Sequence, residues 1–359
     1  MITKLDIKGY KSIKEQEVTL SNINVLIGGN GVGKSNFISI FSLVRAIYEG
    51  NLSEYIIRKG GANSFLHFGK KYTQEIFFDF YFGSDKGDTN RFMIHLANNQ
   101  DSLFIKSIDT AFYNGKWHYR QYERNVAESN FKNINKGQAF WVNDRLREFE
   151  VYHFHDTGDE SPMKGYSNVD DNRFLRKDGS NIAAFLFYLK ESHPKHFIRI
   201  EKTINSVAPF FEKFNLQPSN RNGNLIKLEW KEKGNFDSYF DAYNLSDGTL
   251  RFICLTTLLM QPYPPKTIII DEPELGLHPV AINKFAALTR KVSEKSQLII
   301  STQSINLVDN FEPEDIIVSD RKDNQTIFHR LSNVELKNWL EEYSLGDVWG
   351  KNIFGGQPF

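Results

Sequence analysis

Eight consecutive residues, Gly28-Gly29-Asn30-Gly31-Val32-Gly33-Lys34-Ser35, follow the pattern GxxxxGK[ST]. Glycines at this density let backbone N–H groups curl around an anion, and a helix opening at the loop adds the positive end of its dipole. In such a loop Lys34 reaches the β and γ phosphates of a nucleotide, and Ser35 offers its hydroxyl to Mg²⁺. Asn30 and Asn36 extend the polar lining. A second group, Thr267-Ile268-Ile269-Ile270-Asp271-Glu272-Pro273, is an apolar run ending in two adjacent carboxylates. Asp271 suits the shell of a bound Mg²⁺, and Glu272 suits the alignment and deprotonation of an attacking water. A strand ending in Asp-Glu is common by itself, and the earlier glycine loop is what makes this one a candidate. A third group, Asn244 to Arg251, is a polar glycine turn at the head of a helix, with Ser246 and Gly248 at its tip.

The elements that must hold these groups are legible from periodicity. Leu5 and Ile7, Val18 and Leu20, and Ile23, Val25 and Ile27 mark three short strands. After Gly33 the apolar positions Phe37, Ile40, Phe41, Val44 and Ile47 recur at three and four, which predicts an amphipathic helix closing near Gly50. The glycine loop therefore joins a strand to a helix. The aromatic and β-branched segments EIFFDFYF, RFMIHLA and WHYRQY predict an antiparallel meander over about 75–122, and EFEVYHFH predicts a strand running to His155. Helical spacing covers Ile182 to Leu189 and Phe197 to Phe211. From LIKLEWK onward strand and helix alternate: a helix from Asp247 to Met260, TIIID, a helix from Ala281 to Val292, QLIIS and DIIVSD. The expected fold class is α/β, with an antiparallel β meander beside a parallel core sheet flanked by helices. The expected organisation is a first lobe over 1–157, a helical insertion over 158–243 and a second lobe over 244–359.

Composition removes several classes. Lys and Arg total 44 and Asp and Glu total 44, so no net field draws the chain to nucleic acid or anionic lipid, and any such contact must be local. The local basic groups are Arg145 to Arg147 and Arg173 to Lys177. The lone Cys254 excludes an internal disulfide and a Cys-rich zinc site, and lies in an apolar run as a core residue would. No apolar run is long enough to span a bilayer, and the opening alternates as a strand does, unlike a signal peptide. The expectation is a cytoplasmic protein without a membrane segment.

The order of glycine loop, LSDGT turn, IIIDEPELGLHP and IISTQS resembles the ATP-binding-cassette class of ATPases, and within it the RecF, SMC and OLD heads. The opening KLDIKGYKSIKEQEVTLSNINVLIGGNGVGKSNF is similar to theirs, and the tail LKNWLEEYSLGDVWGKNIFGGQPF is similar to that of short bacterial ATPases of this type without a fused nuclease domain. The resemblance implies a P-loop NTPase of ABC/SMC-head type with ATP and Mg²⁺ as cofactors. It implies that Ser246 and Gly248 meet the γ-phosphate of ATP held by an opposite subunit, so that each site is shared within a homodimer. It places Leu275 to Pro279 in the D-loop, and Gln303 where transporter cassettes carry the switch histidine. Arg58 resembles the arginine-loop position of SMC heads, with an exposed loop arginine as the competing reading. His155 and Asp156 match the region of the Q-loop glutamine, which implies a place near Mg²⁺ and the attacking water.

Two candidates rest on position alone. Lys11, in the first hairpin, approaches the nucleotide or is a plain surface lysine. His153 and His155, two apart, would share a strand face and invite a metal, but no second ligand pair stands nearby. The function expected is an ATPase whose dimer closes and opens to drive a DNA-related or defence-related partner, such as a separately encoded nuclease. The alternative is an ATP-gated scaffold or sensor whose output belongs to that effector. A transporter subunit is disfavoured because LSDGT replaces LSGGQ.

Overall fold

The apolar alternation at the start forms two antiparallel strands, β1 (Ile2–Tyr10) and β2 (Ile13–Thr19), with Leu5 opposite Val18. The computed structural model describes residues 1–84, 87–234 and 239–356, so Gln357 to Phe359 of the tail compared above lie outside the described residues. The wholly buried β3 (Ile23–Ile27) leads through the glycine loop into α1 (Lys34–Glu49), which ends at the left-handed Gly50. After α2 (Leu52–Arg58) the meander runs through β4 (Glu75–Ser84), β5 (Gly87–Asn99), β6 (Ser102–Tyr113) and β7 (Trp117–Val126). Then come α3 (Gly137–Leu146), β8 (Val151–Tyr152), β9 (Ser167–Asn168), α4 (Ile182–Ser192), α5 (Pro194–Val207), β10 (Phe211–Phe214), β11 (Leu225–Ile226), β12 (Glu229–Glu232) and β13 (Phe240–Asp241). The chain continues through α6 (Asp247–Met260), β14 (Thr267–Asp271), α7 (Pro279–Val292), β15 (Gln297–Ser301), α8 (Ile305–Val308), β16 (Ile316–Lys322), β17 (Gln325–Arg330), α9 (Asn333–Leu340) and α10 (Leu345–Gly350).

These elements group into two compact units, one of Met1–Val151, Lys266–Asp271 and Ser296–Phe359, the other of Tyr152–Pro265 and Glu272–Lys295. The division differs from lobes cut at 157 and 243. Hydrogen bonding is the reason: β14, β15 and β16 come late in the chain but lie in the sheet of β3.

In the first unit the antiparallel sheet has the order β2-β1-β4-β5-β6-β7. The second sheet has the order β17-β16-β3-β15-β14-β8, in which β16, β3, β15 and β14 are parallel and β17 is antiparallel to β16. The expected meander and parallel sheet are thus both present. The structure adds β6 and β17, because SLFIKSIDTAFY and QTIFHR sit among polar turns that mask their alternation in the sequence. One continuous core fills the unit, with Phe41 edge-on to Phe149 at 5.4 Å and to Phe80 at 6.1 Å, beside Ile269 and Ile299 of the parallel strands. Burying side chains of this size contributes about 1.5–3 kcal/mol each. Parallel order gathers the carboxyl ends of β3, β14, β15 and β16 along one edge, where ligands bind in open α/β sheets.

The second unit is built on α6, buried at every position from Leu250 to Leu259, with α5 and α7 packed on it. Such a helix belongs inside a helical cluster. Helix α5 stops at Val207, short of the predicted Phe211, which opens β10 and faces Trp230 of β12. The LIKLEWK stretch is two short strands, and the strand expected to reach His155 is only Val151–Tyr152. In the tail, Trp349 is buried, whereas Trp339 and Tyr343 remain partly exposed, the Tyr343 ring beneath the Lys351 ammonium.

Cys254, fully buried on α6 against Met163, has its thiol pushed up by burial. It should resist iodoacetamide at pH 8 in the native protein and react on unfolding, as mass spectrometry of labelled samples would show.

Candidate active site

The loop between β3 and α1 turns where no side chain fits. Gly28 has φ +150°, and a Cβ there would lie 2.5 Å from the Ser319 carbonyl; Gly33 has φ +118°, and a Cβ would lie 2.2 Å from Thr326 Oγ1. Both positions demand glycine. Helix α1 starts with no side-chain cap and no acid in its first turn. Its first N–H groups and dipole therefore face the loop, as an anion site requires. Lys34, 5% exposed, donates its Nζ to the Gly28 and Gly29 carbonyls at 2.6 and 2.9 Å, which stores the ammonium inside the loop. Asn30, Gly31 and Ser35 are exposed along its mouth. A polar chain braces the far side: Asn36 Nδ2 to Ser12 Oγ (2.7 Å), Ser12 Oγ to Thr326 Oγ1 (2.7 Å), and Thr326 Oγ1 to the Val32 carbonyl (2.6 Å).

Parallel register delivers the next groups. Asp271 ends β14 opposite Ser301, whose hydroxyl bonds its carboxylate, and Ser301 lies opposite Leu26 of β3. Gln303 is exposed two residues beyond β15, after Thr302 donates its N–H to the Leu26 carbonyl at 3.0 Å. The carboxylate, the glutamine and the phosphate loop thus share one sheet edge. Lys11 occupies the left-handed tip of the β1–β2 hairpin (φ +48°), with its Nζ 2.9 Å from Ser39 Oγ on α1. Burial pushes this ammonium down to about 8, and the charge of Lys59 adds to the effect. Arg58 ends α2 exposed, with no ion pair among the described residues.

The second unit holds the remaining candidates. Ser246 is the N-cap of α6, its hydroxyl accepting from the Thr249 N–H at 3.2 Å. Gly248 lies against the turn that includes Leu275 to Pro279: a Cβ on it would be 2.2 Å from the Gly276 carbonyl. Arg251, buried on α6, donates its Nε to the Phe154 carbonyl at 2.8 Å and its guanidinium to that of His155 at 3.2 Å. It therefore ties α6 to the His155 segment, and burial lowers its pKa. Glu272 takes φ +44°, a left-handed conformation whose strain is of order 1–3 kcal/mol. His278 caps α7 through the Val280 N–H. The His153 and His155 rings stand 5.8 Å apart, and among the described residues no three His, Cys, Asp or Glu side chains converge as a metal site. Asp156 adjoins them in irregular chain, its carbonyl accepting from Ser161.

Ser12, Thr326 and Arg251 have positioning roles that the sequence does not announce. Ser12 and Thr326 meet across 314 positions. Arg251 stood inside the quoted turn, but only its burial marks it out.

The family described as "AAA domain, putative AbiEii toxin, Type IV TA system" matches residues 23–309, from the first residue of β3 to just past α8. No curated protein matches the chain. Among solved structures, an SMC head bound to the C-winged helix domain of ScpA superposes with a TM-score of 0.61 at 18% identity, covering 94% of this chain and 99% of that one. An SMC head with an extended coiled coil, bound to the C-terminal domain of ScpA from Pyrococcus furiosus, gives 0.58 at 16% identity, covering 95% and 98%. The chain shares the SMC-head fold.

Substituting Gly248→Ala should cost about 1–3 kcal/mol, because the added methyl meets backbone that cannot step aside. Denaturant unfolding measures this, and an unchanged midpoint would refute the close approach of Gly248 to Gly276.

Proposed function

The chain belongs to this AAA domain family, and on that premise we propose that it binds MgATP on its glycine loop and hydrolyses it between two copies of itself. The observation that carries the reading is the uncapped start of α1 with Lys34 folded into the loop. Ser35 and Asp271 would hold Mg²⁺, and two protein oxygens suit an ion that keeps most of its water. When bound, the ion supplies positive charge to the β and γ phosphate oxygens. Lys34 adds its own charge there. Glu272 accepts a proton from the attacking water as the new P–O bond forms and the β–γ bridge breaks, giving ADP and phosphate. Gln303 contacts the γ-phosphate without titrating. Ser246 and Gly248 of a second copy complete the site, while His155, Asp156, Lys11 and Arg58 stay as further candidates for it on the resemblance and their sequence position alone.

The output of this cycle we assign to a partner. The family description names a toxin of a type IV toxin–antitoxin system, which supports a defence-related setting, and the SMC heads above were crystallised with ScpA domains. A DNA partner draws less support, because Arg147 and Arg176 in the two basic groups are paired with Asp144 and Asp171. No helix is long and apolar enough to cross a membrane among the described residues.

Lys34→Ala should abolish ATP binding in a calorimetric titration, and wild-type affinity would overturn the site. Ser246→Arg should keep monomer binding but block ATP-dependent dimerisation in ultracentrifugation; full ATPase activity of this variant as a dilute monomer would refute the sandwich. A pH titration tests Lys11. Its ammonium, held near 8, is charged at pH 7, and a bound polyphosphate raises its pKa, so the complex retains a proton that the free protein loses. ATP affinity should therefore fall as pH rises through 8, by at most about tenfold for each unit of that raise. The slope should vanish in Lys11→Met; an unaltered slope would remove Lys11 from the site.

A further inference from the structure

The tail after α9 is fastened to the phosphate loop and to the turn that follows Gln303. Helix α10 lies flush on α8: the Gly346 N–H donates to Asp309 Oδ1 at 2.6 Å, and a Cβ at 346 would stand 2.5 Å from Ile305 Cγ2. A capping box between Ser344 and Asp347 fixes where α10 begins. Val348 and Trp349 are then buried, and the chain turns left-handed at Gly355 and Gly356 (φ +83° and +79°). A Cβ on Gly355 would lie 2.9 Å from Asp320 Oδ2. One on Gly356 would lie 2.9 Å from Val318 Cγ1 and 3.5 Å from the Gly28 Cα. Two glycines are therefore seated one against the other, Gly356 of the tail on the first glycine of the loop.

The seat is set by shape. Two buried polar atoms beside it, Ser319 Oγ and Trp349 Nε1, have no hydrogen-bond partner among the described residues, although Ser319 adjoins Gly28 and Trp349 Nε1 would be 3.5 Å from a Cβ on Gly356. Gly28 is thus confined on one side by the Ser319 carbonyl and approached on another by Gly356. Its own carbonyl accepts from Lys34. Movement of the tail would change the room available to the residue that anchors the Lys34 ammonium.

The geometry points to Leu345–Gly356 as a strap that positions the phosphate loop, with Gly356 and Asp309 as its positioning residues. This inference rests on the nucleotide reading of the loop. Gly356→Val should unseat the strap, speeding backbone hydrogen exchange over 28–33 and weakening ATP binding about tenfold, with melting of the rest of the chain unchanged. Asp309→Ala, which removes the acceptor for Gly346 at an exposed position, should shift both readouts the same way, and Asp309→Asn should restore them. If Gly356→Val fails to fold, the Asp309 pair decides. Wild-type exchange over 28–33 and wild-type ATP affinity in a folded Gly356→Val, or in Asp309→Ala when that pair decides, would overturn the strap and leave the nucleotide reading standing. Failure of the unaltered chain to bind ATP would instead overturn that reading, and exchange over 28–33 would still test the strap.

Discussion

Between Ile27 and Lys34 the backbone passes from a buried strand into a helix through a space that admits no Cβ at its two ends. That steric limit organises the first unit. Because Gly28 sits against the Ser319 carbonyl and Gly33 against Thr326, the loop is held by β16 and β17 as much as by its own residues. A loop so confined presents its N–H groups without reorganising, which is what electrostatic recognition of a phosphate needs. Asp271 and Gln303 share its edge because hydrogen-bonded register puts β15 beside β3 and β14 beside β15.

A similar limit recurs in the second unit, where Gly248 meets the Gly276 carbonyl. Here the N-terminus of α6 is capped by Ser246 and carries Asp247 in its first turn, so it is a poorer anion site than α1. Arg251 bonds this helix to the neighbouring chain: a buried guanidinium needs acceptors, and the Phe154 and His155 carbonyls supply them.

The strained backbone of Glu272 follows from its neighbours. Asp271 completes a parallel strand, and Pro273 bars the right-handed region to the residue before it. The chain must leave the sheet within one residue, and the left-handed turn at Glu272 is how it does so. Such a turn fixes where the Glu272 side chain leaves the backbone.

The sequence by itself determined where the glycine loop, the two adjacent carboxylates and the LSDGT turn fall, at strand ends and helix starts. Each is a contiguous run whose glycines, charge and flanking apolar period state their purpose locally. It determined most strands and helices for the same reason: periods of two and of three to four need only near neighbours. Only the tertiary structure decided the two-unit division, the buried bonds of Arg251, the Ser12–Thr326 brace and the seating of Gly356 on Gly28. Those depend on contacts between residues as many as 328 positions apart. A serine, threonine or glycine reads the same in a sequence whether its partner is water or a phosphate loop. Packing selects the partner, because a left-handed glycine or a buried hydroxyl takes its role from what stands within bonding distance.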